Sequence, residues 1–160
     1  MKIRLLLILF SMLCINKAFS QNITSPEEQT QIKQVITEEA KYFYNKNLEK
    51  WSTFYRQTPQ TYWAIAEKDF SGQAETWDKI LQLVGNHFSQ NPKAIKATFK
   101  RENYTFRKVN PTYIWVTFDQ TRSTDNKKFT SKELRIVELI KGEWKIVNRT
   151  GFSINSENLK

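Results

Sequence analysis

The last third of the chain contains two strand-like segments joined by a tight turn. Leu134 to Ile140 and Trp144 to Phe152 flank the turn Lys141-Gly142-Glu143. Two such runs around a short glycine-containing turn predict an antiparallel β-hairpin. Both segments are rich in apolar residues, so the hairpin must be covered by other elements, and the rest of the fold has to be built around it.

Strand side chains alternate between two faces, so the hairpin can be divided into faces from its sequence. Close to the turn, one face carries apolar residues: Trp144, Ile146, Leu139 and Val137. Farther from the turn, the same face is predicted to carry polar residues: Asn148, Arg135, Thr150 and Glu133. This gradient predicts a sheet curled over a pocket with an apolar floor and a hydrogen-bonding mouth. We expect Arg135, Asn148 and Glu133 to contact a small-molecule ligand; a cross-strand polar cluster inside the fold is the alternative.

The first 20 residues have the three-part pattern of a secretory signal peptide. Basic residues precede the apolar run Leu5 to Ile15, and Ala18-Phe19-Ser20 supplies small residues at the positions that a signal peptidase inspects. We predict cleavage near Ser20/Gln21 and a single periplasmic or secreted domain, residues 21–160. The alternative, a membrane anchor, needs about 20 apolar residues. The run breaks earlier, so we expect no stable membrane insertion after cleavage.

Composition limits the chemistry of the mature protein. Cleavage would remove Cys14, the only cysteine, and His87 is the only histidine. The mature chain would then have no disulfide and no thiol nucleophile, and one histidine does not make a zinc site. We predict no metal and no cofactor.

The chain is basic, with a formal net charge of +9, and loss of three basic residues with the signal peptide would lower this to +6. Lysine and arginine are scattered along helix-like and strand-like segments, and acids and apolar residues interrupt the densest group, residues 93–108. This distribution indicates a solvated basic surface and no specific nucleic-acid site.

The remaining pattern predicts helices first and strands last. Ser25-Pro26-Glu27-Glu28 predicts a helix start, with apolar residues at helical spacing to about Asn45. Further helices are predicted from about Asn47 to Pro59 and over residues 74–88, and strands over residues 61–66, 97–107 and 113–122. Residues 69–72 and 123–130 are predicted loops. The fold class is therefore α+β, ending in an antiparallel meander.

Several segments together resemble the nuclear transport factor 2-like (NTF2-like) superfamily. They are Asn47-Leu48-Glu49-Lys50-Trp51, Lys132 to Val137, and Gly142-Glu143-Trp144-Lys145-Ile146-Val147-Asn148. Exported bacterial members of the SnoaL-like branch look most similar. The resemblance implies a cone-shaped NTF2-like or cystatin-like fold, in which a strongly curved antiparallel sheet wraps around helices and a cavity opens at the wide end.

The resemblance also implies frequent dimerisation through the sheet. The outer face of the hairpin supports this expectation, because apolar side chains (Leu134, Ile136, Ile140 and Val147) lie there among charged ones. An apolar stripe on an outer sheet face needs cover. We expect a homodimer; a monomer with a helix over this face is the alternative.

The superfamily contains enzymes and non-catalytic binding modules, so the fold alone does not assign an activity. Many cyclase-like members place a histidine, and a serine two positions later, after the Trp-x-Ile-Val strand. The matching positions here hold Asn148 or Arg149, then Thr150 or Gly151, with no histidine. We therefore favour binding of a small amphipathic or aromatic molecule, and the alternative is a SnoaL-like lyase or isomerase.

Asp119 and His87 are the candidate general bases for that alternative, with Tyr55 or Arg135 steadying an oxyanion. Asp119 would act only if its face of the strand, shared with Trp115 and Thr117, looks into the cavity. If Ile114, Val116 and Phe118 look inward instead, Asp119 is solvated. His87 is otherwise a surface or capping residue at a helix C-terminus.

Three aromatic residues complete the predicted site. Tyr55, Trp63 and Trp77 are expected to form an aromatic wall that stacks on a flat ligand. Packing in the core is the alternative for each of them.

Overall fold

A computed structural model describes residues 23–67 and 70–159, and these residues form three helices and six strands. In chain order they are α1 (Pro26–Tyr44), α2 (Leu48–Ser52), β1 (Tyr62–Glu67), β2 (Phe70–Ala74), α3 (Trp77–Gln90), β3 (Thr98–Asn110), β4 (Tyr113–Ser123), β5 (Lys127–Ile140) and β6 (Glu143–Asn158). The predicted α+β class is confirmed. The predicted signal peptide lies outside the described residues. Within the described ranges, no helix combines the length and the apolar character needed to cross a bilayer.

The strands form one curved sheet with the order β2-β1-β6-β5-β4-β3. Strands β3 to β6 are an antiparallel meander, as predicted, and β1 runs parallel to β6. Helix α1 contacts β6, and α3 contacts β1 and β2. The helices therefore cover one face of the sheet, and the cavity described below lies between them and that face.

Helix boundaries follow local capping. At the start of α1 the Ser25 hydroxyl accepts from the Glu28 amide at 3.1 Å, and the Ser25 amide donates to the Glu28 carboxylate at 2.8 Å, the predicted capping box. The third helix was predicted to begin at residue 74, but it begins at Trp77 because the Thr76 hydroxyl caps the Lys79 amide. Helix α2 ends at Ser52, well before Pro59.

Two predicted loops are wrong. Residues 70–74, predicted mainly as loop, form β2, whose backbone pairs with β1 at the edge of the sheet. Strand β5 begins at Lys127, so residues 127–130 of the predicted loop 123–130 belong to a strand. Both segments are polar, and backbone pairing along a sheet does not require the apolar alternation that sequence patterns detect.

The turn end of the β5–β6 hairpin is solid core. Val137, Trp144 and Ile146 are buried against α1, α2 and α3. Other members of this core are Ile32, Ile36, Trp51, Tyr55, Trp77, Ile80, Val84 and Phe88. The prediction that these hairpin residues form the floor of a pocket is wrong, because helical side chains fill the space above them. Each buried aliphatic side chain stabilises the fold by about 1.5–3 kcal/mol.

Candidate functional site

A β-bulge at Val147 decides which side chains of β6 face the interior. Val137 is opposite Ile146 and Ile136 is opposite Asn148, so Val147 has no partner in the ladder. Beyond the bulge, Arg135 is opposite Arg149 and Glu133 is opposite Gly151. Arg149 therefore shares the inner face with Arg135 and Glu133.

The prediction that Asn148 shares this face is wrong. Strict alternation of the two faces along β6 would turn Asn148 inward. The bulge inserts one extra residue and so exchanges the faces of the residues that follow it, and no sequence pattern marks its position. Asn148 lies opposite Ile136 on the outer face, where its side-chain oxygen accepts a hydrogen bond from the Thr150 hydroxyl at 3.0 Å. Ligand contact by Arg135 and Glu133 stays a prediction, and both lie on the inner face.

A small polar cavity of about 30 Å³ lies between α1 and the inner face of the sheet. Six charged side chains line it: Glu39, Glu67, Arg122, Glu133, Arg135 and Arg149. A volume of this size holds about two water molecules. We call it the inner chamber.

Glu39 supplies the helix side of the inner chamber. Its Oε1 accepts hydrogen bonds from the Trp51 indole at 2.7 Å and from the Tyr55 hydroxyl at 2.8 Å. The Arg149 Nε lies 3.9 Å from the same oxygen. Burial, together with the nearby Glu39 charge, raises the pKa of Tyr55 well above its ordinary value. Tyr55 is thus a neutral donor held by Glu39 and is unavailable to an oxyanion.

Glu133 supplies the sheet side. Its carboxylate accepts from Arg135 Nη1 at 2.9 Å, from the Ser131 hydroxyl at 2.7 Å and from the Gln120 amide at 3.3 Å. Burial alone would raise the pKa of Glu133, but the Arg135 and Arg149 charges and the Ser131 hydrogen bond outweigh it, so the pKa is lowered. Both residues of the ion pair are nearly inaccessible, with side chains 5% and 3% exposed.

Three guanidinium groups of the inner chamber keep buried donors without partners. Among the described residues, the Nε atoms of Arg122, Arg135 and Arg149 make no hydrogen bond. Arg122 is held in place by its Nη1, which donates to the Tyr44 hydroxyl at 2.5 Å, and by the Phe129 ring, whose centroid lies 3.9 Å from its Cζ. Buried donors of this kind usually have a water or ligand partner.

A larger cleft of about 410 Å³ opens beside the inner chamber, and we call it the vestibule. Its apolar lining consists of Phe43, Trp63, Ile65, Leu83, Val84, Ile95 and Phe129. Arg122 and Arg149 line both spaces, so the two are contiguous. The predicted gradient is therefore reversed, with polar groups at the floor and apolar groups at the mouth.

Asp119 is not in the cavity, so its prediction as a general base is wrong. Ile114, Val116 and Phe118 face the core, and alternation therefore turns Asp119 to the outer face. There it forms an ion pair with Lys132 and accepts from the Asn103 amide at 2.7 Å. These two hydrogen bonds lower the pKa of Asp119, which makes it a weaker base.

His87 lies at the edge of the vestibule, near the C-terminus of α3. Its ring stacks on Phe43 with centroids 5.8 Å apart, and its Nε2 lies 3.0 Å from the Lys46 ammonium. Burial and the Lys46 charge lower the pKa of His87, so the imidazole is neutral at pH 7. Among the described residues, no carboxylate hydrogen-bonds to this ring to orient it.

The predicted aromatic wall is split between two places. Trp63 lines the vestibule, and the Arg149 guanidinium lies 5.1 Å from its ring centroid. Tyr55 and Trp77 instead pack against Trp51 in the core, with centroids 4.6 and 6.0 Å from the Trp51 ring. The prediction of one wall formed by all three residues is therefore wrong. Tyr55 and Trp77 pack in the core, which was the stated alternative.

Three residues of the site were missed by sequence reasoning. Glu39 and Arg122 carried a usable signal: Glu39 lies on the apolar stripe of α1, between Ile36 and Phe43, and Arg122 continues the inward alternation of β4. No sequence signal marked Arg149, because the bulge at Val147 decides which face of the sheet its side chain lies on. Within residues 23–67 and 70–159, no group of three potential metal ligands is close enough to hold an ion.

The fold is similar to solved structures described as NTF2-like or cystatin-like. An NTF2-like protein of unknown function from Shewanella oneidensis MR-1 gives a TM-score of 0.60 at 14% identity, covering 78% of this chain and 98% of that one. A hexachlorocyclohexane dehydrochlorinase, LinA-type3, from Novosphingobium barchaimii LL02 gives 0.64 at 12% identity, covering 83% and 90%. A putative scytalone dehydratase from Novosphingobium aromaticivorans DSM 12444 gives 0.62 at 11% identity, covering 83% and 88%.

These similarities confirm the predicted NTF2-like, cystatin-like fold. No protein-family model and no curated protein sequence matches the chain. At identities this low, structural similarity establishes the fold and leaves activity to be argued from the site.

Proposed function

We propose that this protein binds a small amphipathic or aromatic molecule in its cone cavity. The observation that carries the proposal is the vestibule of about 410 Å³, which is lined mainly by apolar side chains and leads to a polar chamber. Small-molecule sites typically have this composition and a volume of about 300–1,000 Å³. The apolar part of the ligand would lie against Phe43, Ile65 and Phe129, with its polar end toward Arg122 and Arg149.

The arrangement supports binding more than catalysis. Glu133 accepts three hydrogen bonds, on both of its oxygens, and Glu39 accepts two on Oε1, so both buried carboxylates are already committed to neighbouring side chains. Asp119 lies on the opposite face of the sheet. A general base needs hydrogen-bond reach to its substrate, and Asp119 does not meet that condition.

A lyase or isomerase remains the second candidate, and it now depends on His87. This imidazole is neutral, lines the vestibule and has a lowered pKa. Two structural neighbours are described as a dehydrochlorinase and a putative dehydratase. If this chain were such an enzyme, a His87→Asn variant would keep ligand affinity and lose turnover by at least about 100-fold.

The proposal can be tested with N-phenyl-1-naphthylamine, an uncharged fluorescent probe. We expect saturable fluorescence enhancement with the wild-type protein and at least a tenfold weaker affinity with Leu83→Trp, because the indole would fill the vestibule. Gln82→Trp is the matched control, since residue 82 is exposed on the same helix and does not line the cleft. Equal binding by Leu83→Trp and the wild type would exclude the vestibule as the site.

We also propose that the protein forms a homodimer through its sheet. Trp115 and Phe152 are 45% and 56% exposed on the outer face, and Leu134 and Ile136 lie between them. Val147, predicted to belong to this face, is instead buried at the bulge. A second copy of the chain would cover this apolar surface. Export also remains a proposal, to be tested by the intact mass of the mature protein.

A further inference from the structure

We propose that the ligand of the cone cavity is a monocarboxylate, whose carboxylate group lies in the inner chamber between Arg122 and Arg149 and whose apolar part fills the vestibule. This inference rests on the proposed binding function and adds the chemical class of the ligand. It follows from the balance of donors and acceptors, from charge and from size.

The donors and acceptors of the inner chamber are not balanced. The Glu39 and Glu133 carboxylates already accept two and three hydrogen bonds from neighbouring side chains. By contrast, the Nε donors of Arg122, Arg135 and Arg149 have no partner among the described residues. A ligand group that enters this space therefore meets several guanidinium N–H donors without a partner in the described part of the chain, whereas Glu133 and the Oε1 of Glu39 are already occupied. It should therefore be a hydrogen-bond acceptor, and an anionic acceptor makes the stronger bond to a guanidinium.

The charges around the site favour a negatively charged ligand. Three arginines and three glutamates line the chamber. A fourth arginine, Arg101, lies behind it, with its Nε donating to Gln120 at 2.8 Å, and Gln120 in turn lines the chamber. The lining of the chamber is balanced by itself, and Arg101 behind it and Lys46 at the vestibule add positive charge around it, which favours an anion over a neutral group.

The size of the chamber agrees with a carboxylate. About 30 Å³ accommodates two water-sized groups, which corresponds to the two oxygens of a carboxylate, whereas a phosphate or sulfate carries more oxygens. Arginine recognises the planar carboxylate well because its N–H groups form a matching fork. Arg122 and Arg149 lie where chamber and vestibule meet, so a carboxylate bound there would point its apolar substituent outward past Phe129.

The two arginines are also held in place before any ligand arrives. Arg122 stacks on Phe129 and donates to Tyr44. Arg149 lies over the Trp63 ring. Burial alone would lower the pKa of Arg149, but the nearby Glu39 and Glu133 carboxylates outweigh it and raise the pKa. Both guanidinium groups are thus already positioned and need little reorganisation to bind an anion, which favours affinity.

The test compares acids with neutral analogues of the same shape by isothermal titration calorimetry. The pairs are 1-naphthoate with 1-naphthylmethanol and decanoate with 1-decanol. We expect at least one acid to bind about tenfold or more tightly than its alcohol, because charge-assisted hydrogen bonds are stronger than neutral ones. Arg149→Lys and Arg122→Gln should each reduce this preference at least threefold and leave alcohol binding within twofold. Lys132→Gln, which removes a positive charge from the outer face, should change neither.

The possible outcomes separate the carboxylate assignment from the underlying proposal that the cavity binds a small molecule. If acids and alcohols bind equally, the carboxylate assignment is wrong and the apolar binding site stands, with water satisfying the arginines. If inorganic phosphate or sulfate displaces naphthoate at equal concentration, the site is a general anion site and the assignment is again wrong. If no member of either pair binds below millimolar concentration, the binding function fails as well.

Discussion

Arg149 and Glu39 meet across the interior, with the Arg149 Nε 3.9 Å from the Glu39 Oε1. One residue comes from β6 and the other from α1, and the bulge at Val147 is what turns Arg149 inward. The contact is too long for a hydrogen bond, so the guanidinium is neutralised without being saturated. The proposed ligand carboxylate would bind to this incompletely paired arginine.

Gly151 leaves the space that the Glu133 side chain occupies. A Cβ atom on residue 151 would lie 2.9 Å from Glu133 Oε2, closer than a normal contact. We predict that Gly151→Ala destabilises the protein by about 1–3 kcal/mol, because the buried carboxylate must shift. Gly85→Ala is the control, since its Cβ would meet Leu48 at an ordinary 3.5 Å and alanine favours a helix. Urea unfolding should separate the two variants, and equal stabilities would contradict the packing described here.

Arg135 balances the charge of Glu133 in the interior. We predict that Arg135→Met lowers the free energy of unfolding by about 3–5 kcal/mol, because the buried Glu133 carboxylate loses its hydrogen-bonded ion-pair partner. The double variant Glu133→Gln/Arg135→Met should recover a large part of this loss. The exposed pair Lys100–Glu102 is the comparison, and Lys100→Ala should change stability by less than about 1 kcal/mol. A double variant no better than Arg135→Met alone would show that the lost interaction is not electrostatic.

The lowered pKa of Glu133 gives the fold an acid-sensitive contribution. Because the folded-state pKa lies below the ordinary value of 4.5, the stabilisation is complete above pH 4.5 and is lost as the pH falls through the folded-state pKa. We predict that the stability advantage of the wild type over Glu133→Gln is constant above about pH 5 and shrinks below it. Urea titrations between pH 3 and 7 measure this difference. A stability difference between the wild type and Glu133→Gln that grows as the pH falls would contradict the prediction.

The proposed dimer can be separated from ligand binding. We predict that Trp115→Lys converts a dimer to a monomer, because it places a charge on the apolar outer face. Asn86→Lys, on the exposed side of α3, should leave the dimer intact. Sedimentation velocity distinguishes the two species, and a wild-type protein that sediments as a monomer at micromolar concentration would refute the proposal.

The sequence predicted the elements and the fold better than the site. Ser25 and Glu28 specify the start of α1 locally, and the alternation of Ile114, Val116 and Phe118 is strong enough to define a strand. The direction of Arg149 could not be predicted, since one unpaired residue at Val147 reverses every later side chain on β6. The solid core under Trp144 was also hidden, because it depends on α1, α2 and α3 packing onto the hairpin.

The most direct test of a ligand-filled vestibule uses tryptophan indole NMR signals during titration with 1-naphthoate. The Trp63 indole lines the vestibule, and its buried Nε1 has no hydrogen-bond partner among the described residues, whereas Trp115 lies on the outer face. We predict a saturable shift of the Trp63 indole resonance, assigned with a Trp63→Phe variant, and an unchanged Trp115 resonance. A shift of Trp115 with Trp63 unmoved would place binding on the sheet surface and contradict the cone-cavity site.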